Sequence, residues 1–341
     1  MRVVRVPKRK VNLVRAQAPS RVDLAGGTLD LWPVGVIVEG SVTVNCAVNL
    51  YARVEARKTK DKFIHLSSED YVKEYDFRKG AEPGDLPLLE MLCSHYSVTD
   101  GWSISVRSDF PPGSGLGGSS AVSIAMARAL LEIREAKESA QRTVTVCRDL
   151  EARNLGIPTG VQDFWPAILG GVLAIHYRPG GDDIESLGNA FPFLTERLVV
   201  AYTGKSHFSA DNNFEIYQAF LQGRKETVRA MKGIAEASQG VYRALKNNDF
   251  DEAGRMMNEE WENRKKLSPS VATPKMEELQ KAALEAGAVG AKGCGAAGGG
   301  AMVFLVRLGM KRAVELALEK SGAVILSAEP DKKGCTVEAL P

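Results

Sequence analysis

The chain has 341 residues, enough for two domains or one large one. Its 44% hydrophobic and 25% charged residues are the proportions of a soluble globular protein. Lys and Arg number 44 against 42 for Asp and Glu, and a net charge of +2 argues for neither nucleic acid nor an anionic membrane as partner. No apolar run approaches a membrane span, and the basic stretch Met1–Arg15 lacks the apolar centre of a signal peptide. The cysteines, Cys46, Cys93, Cys147, Cys294 and Cys335, are odd in number, widely spaced and without a CxxC pair. That pattern suggests neither a zinc site nor a disulfide framework and fits reduced thiols in a cytoplasm. His65, His95, His176 and His207 show no metal-ligand spacing.

A first strand is expected within residues 11–24. It runs into Ala18-Pro-Ser-Arg-Val-Asp-Leu-Ala-Gly-Gly-Thr-Leu-Asp30, where Gly26 and Gly27 mark a tight turn among Arg21, Asp23 and Asp30. Two readings stay open there: a turn with solvated charges, or a loop whose carboxylates accept hydrogen bonds from a polyol. Val42–Arg57 reads as a strand or strand pair, Phe63–Leu66 as a short strand, and Leu86–Tyr96 as a helix after Pro83-Gly84. Trp102, Ile104 and Val106 alternate with Ser103, Ser105 and Arg107, the pattern of a half-buried strand.

Asp109-Phe-Pro-Pro-Gly-Ser-Gly-Leu-Gly-Gly-Ser-Ser-Ala121 follows that strand and precedes apolar residues at helical spacing. Glycines let backbone N–H groups approach a ligand closely, and a helix N-terminus adds partial positive charge. Together they form an anion cradle whose usual tenant is phosphate. Gly113, Gly115 and Gly118 also satisfy GxGxxG, but the preceding strand alternates and the acidic ribose position falls inside the helix near Glu135 and Glu138. A Walker A loop is excluded because Val199 stands where the first glycine before Gly204-Lys205-Ser206 belongs.

The next helix is expected over Ser139–Leu155, ending at Gly156. Its inward face, Ala140, Val144 and Cys147, continues into Glu151, a carboxylate that is either paired with an arginine inside the protein or a metal ligand. Asp163 sits among Val161, Phe164, Trp165 and Ile168, as a helix cap or a functional acid. Val172–Tyr177 is a strand, and Gly180-Gly-Asp-Asp an exposed turn where the chain passes from one half to the other. Glu196–Thr203 is another strand, three or more helices fill 209–267, Pro269 and Pro274 break them, and a last helix there ends at Ala286. Gly290–Ala301 is a second glycine-rich turn expected to close onto the first, with Met302–Val306 behind it. A helix at Lys311–Ser321 and strands at Ala323–Glu329 and Cys335–Leu340 finish the chain. The alternation argues an α+β fold with antiparallel sheets.

Three separated motifs carry a resemblance. Ala18–Asp30, Pro111–Ala121 and Lys292-Gly-Cys-Gly-Ala-Ala-Gly-Gly-Gly300 resemble, in order and approximate position, those of the GHMP kinases, the family of galactokinase, homoserine, mevalonate and phosphomevalonate kinases. Arg-Val-Asp-Leu-Ala-Gly-Gly-x-x-Asp, Val161-Gln-Asp163 and Ala201-Tyr-Thr-Gly204 are similar to the fucokinase and D-glycero-D-manno-heptose 7-phosphate kinase branch. The resemblance implies a two-domain fold, residues 1–178 and 179–341, with helices packed on antiparallel sheets and an active site between the domains.

It further implies ATP-dependent phosphorylation of a sugar or sugar-phosphate hydroxyl, the anomeric one, by a monomer or homodimer. ATP would be wrapped by Pro112, Gly113, Ser114, Gly115, Leu116, Gly117, Gly118, Ser119 and Ser120. Mg2+ would be held by Ser119 and Glu151; Gly118 replaces the usual first serine, which leaves Ser119 and Ser120 both open as its ligand. Asp163 would stand next to the attacking hydroxyl as base or orienter, and Arg21 would orient that hydroxyl. Gly26, Gly27, Thr28, Asp30, Gly295 and Gly298 would bind the substrate. Thr28-Leu29 and Phe164-Trp165 depart from the branch's pattern, which bears on the identity of the sugar. The same resemblance admits a silent ATP and sugar sensor, or a kinase of a non-sugar alcohol. Arg178, Lys205, Ser206 and His207 are either solvated loop residues or a seat for a phosphate already on the substrate.

Overall fold

A computed structural model describes residues 11–78, 84–205 and 210–341; Met1–Lys10, Pro83, Ser206 and His207 lie outside the described residues. In chain order the elements are β1 (Leu13–Ala25), α1 (Val34–Ile37), β2 (Val42–Lys58), β3 (Ile64–Ser68), β4 (Lys73–Phe77), α2 (Pro87–His95), β5 (Trp102–Ser108), α3 (Gly118–Ile133), α4 (Ala140–Leu155) and α5 (Phe164–Leu169). Then come β6 (Val172–Arg178), β7 (Gly181–Ser186), α6 (Phe191–Arg197), β8 (Leu198–Tyr202), α7 (Ala210–Leu221), α8 (Lys225–Lys246), α9 (Phe250–Lys265) and α10 (Pro274–Ala286). The chain ends with β9 (Ala288–Gly293), β10 (Ala301–Val306), α11 (Lys311–Lys320), β11 (Val324–Leu326) and β12 (Thr336–Leu340). No helix among the described residues is long and apolar enough to cross a membrane.

The first sheet has the order β12-β1-β2-β5-β3-β4, with β6 also on β2 and β7 on β6; the second has the order β11-β8-β10-β9. Every pairing is antiparallel except β3 with β5. That parallel pair is reached through β4 and α2, a connection long enough for a crossover. β1 alternates over its first turns, with Val14 and Ala16 buried and Arg15 exposed, and is then buried on both faces from Ala18 to Ala25. α3 covers β1 and β2 from one side, and α9 lies along β9.

Local signals set most element ends. Ser139 Oγ accepts the Arg142 N–H at 3.2 Å and caps α4, which stops at Gly156 with φ +70°. Thr273 caps α10 ahead of Pro274. Three expectations are corrected. Glu196 and Arg197 end α6 instead of starting a strand, β8 beginning at Leu198. Gly180 turns a hairpin, since Gly181–Ser186 pairs with Leu173–Arg178 and continues the first sheet; β12 later returns to the same sheet. Gly290–Gly293 belongs to a buried strand, so the second glycine turn covers only residues 294–300. Its glycine is there for packing: a Cβ on Gly290 would lie 2.7 Å from Gly254 Cα on α9.

Four charges are buried where β1, α9 and β9 meet. Lys292 Nζ lies 2.6 Å from Asp23 Oδ2 and 3.1 Å from Glu260 Oε1, all three side chains being fully buried. Arg264, one helical turn after Glu260, reaches Asp23 Oδ2 at 3.3 Å. Its other Nη donates to Thr28 Oγ1 at 3.1 Å and to the Gly295 carbonyl. Two carboxylates and two cations balance, so each is tolerated only because the others are present. Asp23→Ala should therefore cost about 3–5 kcal/mol of unfolding free energy by leaving buried cations unpaired. Urea denaturation reads this directly, and a loss under about 1 kcal/mol, the size of an ordinary substitution, would reject it.

Candidate active site

A cleft of about 560 Å³ opens over the N-terminus of α3. Pro112, Gly113, Ser114, Gly115, Gly117, Gly118, Ser119 and Ser120 all line it. Leu116 does not: its side chain is buried in the core, and its carbonyl accepts the Arg21 N–H at 3.1 Å. Two positions require glycine. Gly117 enters α3 with φ +72°, and a Cβ there would lie 3.2 Å from the Asp163 carboxyl carbon; on Gly115, at φ +77°, it would lie 2.7 Å from the Cys294 carbonyl. The second turn does close onto the first, because the Ala301 N–H donates to Ser114 O at 2.7 Å. Gly295 and Ala296 reach the cleft wall, whereas Gly298 lies behind it and donates its N–H to Val271 O at 2.7 Å.

Asp163 stands at the residue before α5 but makes no cap hydrogen bond. Its carboxylate instead meets Arg21, whose Nε donates to Oδ1 at 2.7 Å and whose Nη2 lies 2.5 Å from the same oxygen. Arg21 is buried, and its remaining Nη1 donates to Gly115 O at 2.7 Å. One guanidinium thus ties the acid to the glycine loop. Burial opposes the charge on Arg21, and Asp163 and Asp23 outweigh it, so the guanidinium is held protonated.

Glu151 is buried on α4 and hydrogen-bonds Ser119. Burial pushes its carboxyl up to about 7; the Ser119 hydroxyl opposes this, and Asp163 and Asp30 add to it. No cation among the described residues is paired with it, so the internal arginine pair is not found. Ser120 is buried while Ser119 is open to the cleft, although both border it.

Asp30 is half-buried and lines the cleft. Gln162 holds it, the backbone N–H at 3.2 Å from Oδ2 and Nε2 at 3.3 Å from Oδ1. Burial, then the neighbouring Asp163, raises the Asp30 carboxyl to about 6. Thr28 also lines the cleft, at φ +78°, an uncommon backbone for a β-branched residue. Gly26 and Gly27 stand behind the cleft. The Gly26 N–H donates to Glu260 Oε1 at 3.2 Å, and a Cβ on Gly27 would lie 2.4 Å from Arg264. Arg178 pairs with Asp183 at 3.2 Å away from the cleft, and Lys205 is not among its lining residues.

Sequence reasoning gave Gln162 and Arg264 no role. Gln162 adjoins Asp163, a signal that could have been used. Arg264 lies in a helix dense in Glu, Asn and Lys, where nothing local separates it from a solvated charge.

Residues 86–171 match the GHMP kinases N terminal domain, and residues 241–324 match the GHMP kinases C terminal domain. The chain is 26% identical over 333 residues to D-glycero-alpha-D-manno-heptose 7-phosphate kinase of Campylobacter jejuni, covering 94% of this chain and 97% of that one. It is 27% identical over 352 residues to mevalonate kinase of Pyrococcus abyssi, with 96% and 98% covered. The fold is that of Lactococcus lactis galactokinase, with a TM-score of 0.77 at 16% identity and 95% of each chain covered. Matched in both halves and along nearly its whole length, with the two glycine turns closed over Arg21 and Asp163, the chain belongs to the GHMP kinases, phosphotransferases that use an alcohol group as acceptor.

Proposed function

We propose that this protein transfers the γ-phosphoryl group of ATP to a hydroxyl of a sugar or sugar phosphate, the anomeric one. The observation that carries the reading is the placing of Asp163 against both Arg21 and the loop of Gly115 and Gly117. Phosphoryl transfer needs alignment and charge neutralisation more than covalent help. The loop amides and the α3 N-terminus would hold the ATP phosphates. Asp163 would accept or orient the acceptor's proton, held in place by Arg21, which would also face the γ-phosphate. Thr28, Asp30 and Gly295 would line the acceptor's seat.

A hard cation fits beside Ser119 and Glu151. A buried carboxylate whose first partner is a hydroxyl, with no cation against it among the described residues, is a donor set suited to Mg2+ shared with phosphate oxygens. When bound, the ion would offset charge on the transferring phosphates. ADP release from MgATP across fucose, galactose, mannose, glucuronate, heptose 7-phosphate, mevalonate and homoserine tests the reading. Turnover with a sugar upholds it, turnover with mevalonate or homoserine alone replaces the sugar, and ATP binding without any turnover favours a sensor.

Asp163→Asn keeps the shape and one hydrogen-bond acceptor for Arg21. It should retain the fold by circular dichroism and lose about 10²–10⁴-fold in kcat; near-normal turnover would remove Asp163 from the chemistry. Glu151→Gln should raise the magnesium concentration for half-maximal rate, and an unchanged magnesium titration would reject Glu151 as a ligand.

A further inference from the structure

We infer that the acceptor seat takes an uncharged polyol, a sugar bearing neither phosphate nor carboxylate. This rests on the sugar-kinase reading of the cleft. Among the described residues, the cations that line the cleft are Arg21 and Arg264. Both are already committed within the protein, so neither offers an unpaired charge to an anionic acceptor. Arg21 spends its nitrogens on Asp163 and Gly115 O. Arg264 spends its own on Asp23, Thr28 and the Gly295 carbonyl.

The charges at this end do not cancel. Arg21, Arg264 and Lys292 face Asp163, Asp23, Glu260 and Asp30, three cations against four carboxylates. Asp30 is the one with no cation bonded to it: its bonds come from the neutral amides of Gln162, and Arg21 acts on it only through space. Burial first, and then the neighbouring Asp163, raises the proton affinity of Asp30. A carboxylate can accept several hydrogen bonds, and a sugar's hydroxyls are donors that would use the vacant ones. A phosphate or carboxylate brought here would meet a like charge with no free guanidinium to offset it, the arrangement by which sites reject the wrong ligand.

The test is kcat/KM of the full-length protein with MgATP for galactose, fucose and mannose against glucuronate, heptose 7-phosphate and mevalonate. A neutral sugar should exceed every anionic acceptor at least about tenfold, the scale of one hydrogen bond to a charged group. Asp30→Asn should lower kcat/KM for the neutral sugar about tenfold or more and narrow the neutral-to-anionic ratio. An anionic acceptor used as well as or better than the neutral ones, or a ratio unchanged in Asp30→Asn, would overturn the inference while leaving the kinase reading intact. No turnover with any acceptor would overturn both.

Discussion

Lys292 is fully buried, and its ammonium is matched by Asp23 and Glu260 within 3.1 Å. That pairing fixes how β1, α9 and β9 stand against one another, because a buried charge has no alternative partner to slide toward. The cleft wall is attached to it. Asp23 Oδ1 accepts the Gly295 N–H at 3.1 Å, Arg264 donates to the Gly295 carbonyl, and Glu260 accepts the Gly26 N–H. Apolar packing alone would allow a small shift at modest cost. Directional bonds to charged groups do not, which suits a site where alignment is most of the catalysis.

Arg21 performs the same service one layer nearer the cleft. The β1 strand carries it, the glycine loop accepts from it, and Asp163 is drawn off the start of α5 to meet it. An aspartate before a helix ordinarily bonds the helix's first amides. Here that stabilisation is given up. A rule of local structure is set aside where a side chain is held for another purpose.

Where the outcome depended on neighbours in sequence, the residues were legible. Ser139, Gly156 and the alternation of Trp102–Arg107 gave element ends and faces, and the glycines of 113–118 marked the turn from β5 into α3. Where the outcome depended on packing between distant elements, they were not. β9 looked like a turn because Gly290 yields space to α9. Arg264 went unmarked because the partners that bury it are 241 and 236 residues away in the chain, at Asp23 and Thr28. β7, Gly-Asp-Asp-Ile-Glu-Ser, is an edge strand with one paired neighbour and much exposed surface, so no apolar alternation marks it.

The glycines join these two classes. A glycine turn was expected at 26–27 for the freedom of its backbone, and Gly26 does need it, at φ +85°. Gly27 does not. Its missing Cβ leaves room for Arg264 Nη1 and Asp23 Oδ2, which would lie 2.4 and 2.8 Å away. Gly160, on the far wall, repeats the arrangement: a Cβ would fall 1.6 Å from Asp30 Oδ2. Gly117 does both, with its positive φ and the Asp163 carboxylate beside it. Gly27, Gly117 and Gly160 therefore mark places where a carboxylate of the site passes close to backbone. The carboxylates cannot be moved outward without losing Arg21, Gln162 or Lys292, so the side chain opposite each is the one that is absent.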